Sequence, residues 1–172
     1  MKIKFNNIRD LSDARYAAAV MAECIGFAVG SENDLPASAI QEIIGWCAGP
    51  DIILEIGPEA TVQKIETLLN LIPVSGLEVE ENAFSALKAQ FASQQLTWIV
   101  KTSNPLTDAI SHVPALVVSE NTYCAVIPTT ETAEILMSNE PWGISLDCFE
   151  SVSTGIKDFS EWNDFFEALE IL

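Results

Sequence analysis

Seven polar or charged side chains stand at the ends of short apolar runs: Asn6, Glu55, Glu78, Glu80, Lys101, Ser119 and Asp147. If those runs are strands of one sheet, their C-terminal tips gather these groups around a common pocket. A carboxylate-rich pocket suits a cation, either an amine or a divalent metal held by carboxylate oxygens. The plainer alternative, preferred at this level, is the solvated rim of a very acidic protein. Lys101, alone among carboxylates, could anchor an anion, but pairing with a neighbour is the better expectation. His112 follows a short helix and precedes Pro114, so it reads as a surface residue rather than a catalyst. The four cysteines, Cys24, Cys47, Cys124 and Cys148, are widely spaced in apolar contexts and read as buried free thiols rather than zinc ligands or disulfides. No metal and no cofactor is expected.

The elements that must position these groups alternate along the chain. A strand opens it, followed by an Ala-rich helix from about residue 10 to 22 with Asp10 or Ser12 as its cap, then a strand over 24–27 whose Gly26 allows close packing. Pro36 opens a helix through Ile40, Ile43, Ile44 and Trp46, and the run 51–57 is bounded by turn residues like a buried parallel strand. Helices over 61–71 and 83–91 alternate with strands over 76–80 and 97–101, and a short helix is expected between Pro105 and Ser111. A sixth strand at 115–118 is separated from the next apolar run, 124–127, by too few residues for a helix, whereas a parallel crossover needs about a dozen. Either the sixth helix is lost or these two strands are arranged differently. A helix over 130–137, a strand over 142–146 and a last helix behind an Asp158/Glu161 capping box complete the pattern, with Trp162, Phe165, Phe166 and Leu169 at helical spacing. Eight strands and seven helices imply one α/β domain over residues 1–172, a shortened (β/α)8 TIM barrel lacking its sixth helix.

Composition limits what such a barrel can bind. Of 172 residues, 25 are acidic and 8 basic, a formal net charge of −17 that repels nucleic acid and anionic membranes and disfavours phosphorylated ligands. The N-terminus lacks a long apolar signal segment, and Glu23 interrupts the stretch from Tyr16 to Gly30, so a cytoplasmic protein is expected.

Both ends of the chain carry a specific pattern. Lys4, Ile8, Asp13-Ala14 and Ile25-Gly26-Phe27 at the start, and Pro141-Trp142-Gly143 with Gly155-Ile156-Lys157-Asp158 near the end, stand in the order found in phosphoribosylanthranilate isomerase, the tryptophan-biosynthesis barrel enzyme that this sequence resembles. The resemblance implies isomerisation of an aminoaldose to an aminoketose, with a strand-one cysteine as base and a strand-six aspartate as acid. Those positions hold Asn6 and Ser119 here, and the glycine after the cysteine is Asn7. The family's phosphate-binding glycines correspond to Ala125-Val126, its Ser-Ser-Gly to Asp147-Cys148-Phe149, and its Gln-Leu-His-Gly to Glu78-Val79-Glu80-Glu81; the arginine after strand two falls near Leu35. A carboxylate about 4 Å from a phosphate opposes it by about 4 kcal/mol at an effective dielectric of 20. The expectation is therefore a barrel that no longer isomerises and binds an unidentified small molecule at its mouth through Asn7, Glu55, Glu78, Glu80, Lys101, Asp147 and Cys148. Because a missing sixth helix uncovers the sixth and seventh strands, a homodimer through that face is also expected.

Overall fold

The computed structural model describes residues 1–102, 115–118, 121–148 and 157–171. The helix expected between Pro105 and Ser111, together with His112, Ser119 and Phe149, lies outside them. In chain order the elements are β1 (Lys2–Asn6), α1 (Leu11–Ala19), β2 (Cys24–Val29), α2 (Ala37–Gly45), β3 (Asp51–Ile56), α3 (Val62–Leu71), β4 (Gly76–Glu80), α4 (Glu81–Gln90), β5 (Thr97–Thr102), β6 (Ala115–Val118), β7 (Asn121–Ala125), α5 (Thr130–Asn139), β8 (Gly143–Asp147) and α6 (Ser160–Ala168). All six residues of β2 are buried, as a strand covered on both faces must be. The strands pair in chain order, and β8 returns to β1 over five residue pairs from Lys2–Gly143 to Asn6–Asp147, so the ladder forms a ring. This is a shortened TIM-like α/β barrel.

One strand corrects the expected architecture. β6 runs antiparallel to both neighbours, with Val117 opposite Val100 of β5 and Thr122 of β7. Residues 119–120 suffice to join two antiparallel strands, whereas a parallel pair would need a crossover. The arrangement is thus not a (β/α)8 barrel with one helix removed, because reversing β6 removes the need for that helix and leaves the other seven strands codirectional.

Apolar packing divides into two regions. Outside the strands, Phe5, Ile25, Phe27, Leu54 and Leu77 meet the helices in a continuous core. Inside the ring, Cys24, Ile53, Ile99 and Tyr123 form a separate apolar floor with Trp142 against it. The lumen has little room: a Cβ at Gly143 would lie 2.6 Å from the Tyr123 ring, so β8 needs a glycine there.

The two chain ends meet at a second polar device. Asp10 caps α1 by accepting the Ser12 and Asp13 N–H groups at 2.8 and 3.1 Å, and Asp13 accepts the Arg9 N–H at 3.0 Å. Lys157 donates to Asp13 Oδ1 at 2.5 Å, with the two side chains only 2% and 1% exposed, and its ammonium lies 3.3 Å from Asp10. Burial raises the Asp13 pKa, with the Lys157 hydrogen bond opposing that shift. The helix just beyond Lys157 packs Trp162 and Phe166 against Phe5, while Phe159 stacks on Tyr16 at 4.3 Å between ring centres. The expected Asp158/Glu161 capping box does not form: Phe159 is the N-cap, and Asp158 accepts the Ser160 N–H at 2.9 Å.

Removing one partner of so deeply buried an ion pair leaves an uncompensated charge. Lys157→Met should destabilise the chain by about 3–5 kcal/mol. In denaturant titration, Asp13→Asn combined with Lys157→Met should cost less than Lys157→Met alone; equal or greater loss in the double variant would argue against the pair.

Candidate functional site

Alternation along the strands decides which polar groups enter the lumen. Lys4 follows Ile3 and precedes Phe5; with those two packed in the outer core, its side chain points inward, and it is fully buried. From β1 it crosses the lumen to strands that do not neighbour its own. Its Nζ lies 2.8 Å from Glu55 Oε1 on β3 and 2.9 Å from Glu78 Oε2 on β4. Glu55 and Glu78 are register partners, so without a cation between them two carboxylates would face each other directly. Burial disfavours the Lys4 charge, but Glu55 and Glu78 outweigh that penalty and raise its pKa.

The remaining contacts orient this triad. Lys4 also donates to Asn6 Oδ1, and Asn6 Nδ2 donates to Ser145 Oγ at 2.9 Å. Glu55 Oε2 accepts the Asn7 N–H at 2.9 Å. Asn7 holds φ at 56°, in the left-handed region that asparagine tolerates better than most residues, and it stands where the resemblance places glycine. Gly26 does not serve strand packing as expected; a Cβ there would fall 1.8 Å from Glu55 Oε1, so its bare backbone is the space the carboxylate occupies. Burial, partly offset by Lys4 and reinforced by Glu78, pushes the Glu55 pKa up to about 7.

Above this floor opens a cavity of about 550 Å³ at the C-terminal ends of the strands. Asn6, Asn7, Glu55, Glu78, Glu80, Lys101, Ser145 and Asp147 line it, with Ala125, Val126 and Ile127 on one wall. The structure therefore brings together every described mouth residue expected from the sequence except one. Cys148 is a correction: it is 3% exposed, belongs to the outer core and does not line the cavity. Burial pushes its thiol well up, and pushes Cys24 up to about 11 against the pull of Lys4, so neither is a thiolate nucleophile near neutral pH. Lys101 lies 3.8 Å from Glu80 at the exposed rim, the expected pairing. Leu35 packs against the outer core and lines a groove beside α3, away from the mouth. Spacing at the strand ends does not reveal Lys4 and Ser145 as site residues; a lysine inside the apolar opening strand is the available signal for the first.

Two backbone donors at the β7–β8 side, on described residues, are already used within the barrel. The Val126 N–H donates to Ser145 O at 2.9 Å and the Cys148 N–H to Asn6 O at 3.0 Å. Among the described residues, no three His, Cys, Asp or Glu side chains converge as a metal site. No described helix is long and apolar enough to cross a membrane.

A ring of mostly parallel strands with a polar mouth at their C-terminal ends defines a TIM-like barrel protein, and solved structures share that fold over the whole chain. N-(5'-phosphoribosyl)anthranilate isomerase from Pyrococcus furiosus matches with a TM-score of 0.61 at 17% identity, covering 100% of both chains. The Thermus thermophilus phosphoribosyl anthranilate isomerase matches at 0.67 and 15% identity, covering 99% of this chain and 98% of that one. The Thermotoga maritima enzyme, solved in complex with reduced 1-(o-carboxyphenylamino)-1-deoxyribulose 5-phosphate, matches at 0.53 and 12% identity over 100% of both. The chain thus has the phosphoribosylanthranilate isomerase fold. No protein-family model and no curated protein matches it.

The raised Glu55 pKa has a testable sign. An unfolded glutamate titrates near about 4.3, so between roughly pH 4.3 and 7 the folded chain holds a proton that the unfolded chain has lost. The Glu55 contribution to stability is complete below that window and falls as pH rises through it, by at most about 1.4 kcal/mol per unit. Chemical unfolding of the wild type and of Glu55→Gln should therefore diverge in this window, the variant gaining relative stability up to about pH 7 and holding it above. Parallel profiles would contradict the shift.

Proposed function

We propose that this barrel no longer performs the phosphoribosylanthranilate isomerase reaction and instead acts in the cytoplasm as a binding protein for a small molecule at its mouth. The observation carrying this reading is the Lys4–Glu55–Glu78 network on the cavity floor. The ligand named for the Thermotoga maritima structure bears a phosphate and a carboxylate. A molecule of that charge would meet Glu78, Glu80 and Asp147, with Lys4 already engaged by two carboxylates. Asn6 supplies no proton-transfer group where the resemblance implies the base, and general acid–base catalysis is worth roughly 10²- to 10⁴-fold per group.

The purified chain should show no phosphoribosylanthranilate isomerase turnover, should fail to complement a tryptophan auxotroph lacking that enzyme, and should gain nothing from Asn6→Cys alone. Calorimetry with inorganic phosphate should give no binding at millimolar concentration. Complementation by the unmodified chain would refute the reading and favour a weak or altered isomerase. One observation favours a different reaction instead: a carboxyl group with a pKa near 7 lining a cavity is suited to proton transfer. Turnover of another substrate, abolished in Glu55→Gln, would support that alternative.

We also propose that a second copy covers the outer side of β6 and β7. These strands are joined through residues 119–120 without a helix between them, and apolar sheet faces are seldom left in water. Light scattering at micromolar concentration should report about twice the 18.7 kDa chain mass. A concentration-independent monomer would exclude this pairing.

A further inference from the structure

The peptide that joins Asn6 to Asn7 is held at both of its polar ends. Its carbonyl accepts the Cys148 N–H at 3.0 Å just beyond β8, and its N–H donates to Glu55 Oε2 at 2.9 Å on β3. It stands where β1 gives way to the turn before α1, between two residues that line the cavity, and Asn7 takes a φ of 56° there. Even asparagine enters the left-handed region at some cost, so the Glu55 contact is part of what keeps the turn in that shape.

The carboxylate that grips this N–H belongs to a group with one negative charge too many. Glu55 and Glu78 are register partners in the lumen, and the Lys4 ammonium stands 2.8 Å from one and 2.9 Å from the other. Two buried carboxylates sharing one cation keep a net negative charge, and a single added proton makes the set neutral. Both Glu55 oxygens already face donors, Lys4 Nζ at Oε1 and the Asn7 N–H at Oε2. A proton on Oε1 would confront an ammonium, whereas on Oε2 it opposes a neutral amide, which holds a carboxylate oxygen less strongly. The Asn7 contact is therefore the one that yields.

We propose that Glu55 is a proton-operated latch on the mouth of the barrel: ionised, it holds the Asn6–Asn7 peptide against β3, and protonated, it keeps Lys4 and lets that peptide go. The latch acts on the chain itself and does not depend on the binding role proposed above. The groups around Glu55 are Lys4 from β1, the bare backbone of Gly26 and the neutral thiol of Cys24 from β2, Glu78 from β4 and the neutral thiol of Cys148 beyond β8, with Glu80, Lys101 and Asp147 at the mouth. Burial above all, and then the Glu78 charge, raise the Glu55 pKa to about 7 against the pull of Lys4. The latch is thus closed above neutrality and opens as pH falls through it.

Amide proton resonances of the full chain, followed from roughly pH 5.5 to 8.5 beside the side-chain carboxyl carbon of Glu55, read the latch directly. Losing a carboxylate acceptor shields an amide proton, so the Asn7 N–H should move upfield as pH falls, with a midpoint near 7 that it shares with the Glu55 carboxyl carbon. The Cys148 N–H, on the other end of the same peptide, should follow with that midpoint, while the Glu23 N–H, which donates to Ile3 O at the opposite end of β1, should stay in place. Two variants should act in opposite senses. Glu55→Gln offers a single oxygen, which the Lys4 ammonium takes, so the Asn7 N–H should hold its acid position at every pH. Glu78→Gln leaves one carboxylate to one ammonium, so the Asn7 midpoint should fall by about one unit or more. An Asn7 N–H that does not titrate in the folded wild type overturns the proposal, as does a Glu55 carboxyl that titrates without moving it, or an Asn7 transition that persists unchanged in Glu55→Gln. Should either variant fail to fold, the wild-type titration and the other variant still decide.

Discussion

A lysine ammonium suspended in the lumen of a barrel is the constraint on which the rest of this molecule depends. Burying such an ion costs several kcal/mol unless partners surround it, and Lys4 recovers that cost from Glu55 and Glu78 on strands it does not neighbour. The dependence is mutual. Two carboxylates in register on adjacent strands could not share the lumen without the cation between them. Gly26 must lack a side chain so that Glu55 can reach, and Asn6 is held between Lys4 and Ser145. The floor of the cavity is therefore a braced ionic assembly, and its chemistry follows from how its members share charge.

That assembly separates fold from activity. Whole-chain similarity to solved isomerases at 12–17% identity attests to the barrel and says nothing of its reaction. The functional argument lies in the mouth, where carboxylates line the wall and the Val126 and Cys148 N–H groups are spent on the Ser145 and Asn6 carbonyls. A barrel can exchange the groups at its strand ends because they hang on a scaffold stabilised elsewhere, by the outer apolar core and by the Asp13–Lys157 clasp that joins the first helix to the segment preceding the last.

The reversed β6 shows how a ring of strands tolerates a shortened chain. Ring closure demands that every strand edge find a partner, but a strand can be paired from either direction. With too few residues for a crossover, antiparallel pairing satisfies the same backbone groups. The β8–β1 closure is preserved, and with it the position of Asn6 beside Ser145 and Asp147.

Most of the strand and helix pattern was legible because it depends on local spacing: apolar runs bounded by Gly, Pro and Asp for the buried strands, and a 3.6-residue stripe for the helix carrying Trp162, Phe165 and Phe166. The same spacing identified Glu55, Glu78, Glu80, Lys101 and Asp147 as residues at strand tips, and Asp10 or Ser12 as the first cap, of which the fold uses Asp10. It misplaced Cys148, which follows Asp147 just beyond β8 and by alternation faces the outer core, and it found the wrong cap for the last helix. What the chain order determined alone was therefore the set of elements and the end of the barrel at which the polar groups collect. Tertiary structure alone decided the direction of β6, the place of Gly26 beneath a carboxylate, and the union of Lys4 with Glu55 and Glu78. The last depends on pairings between residues some 50 to 75 positions apart, where no local periodicity carries the information and only closure of the ring brings the charges within 3 Å.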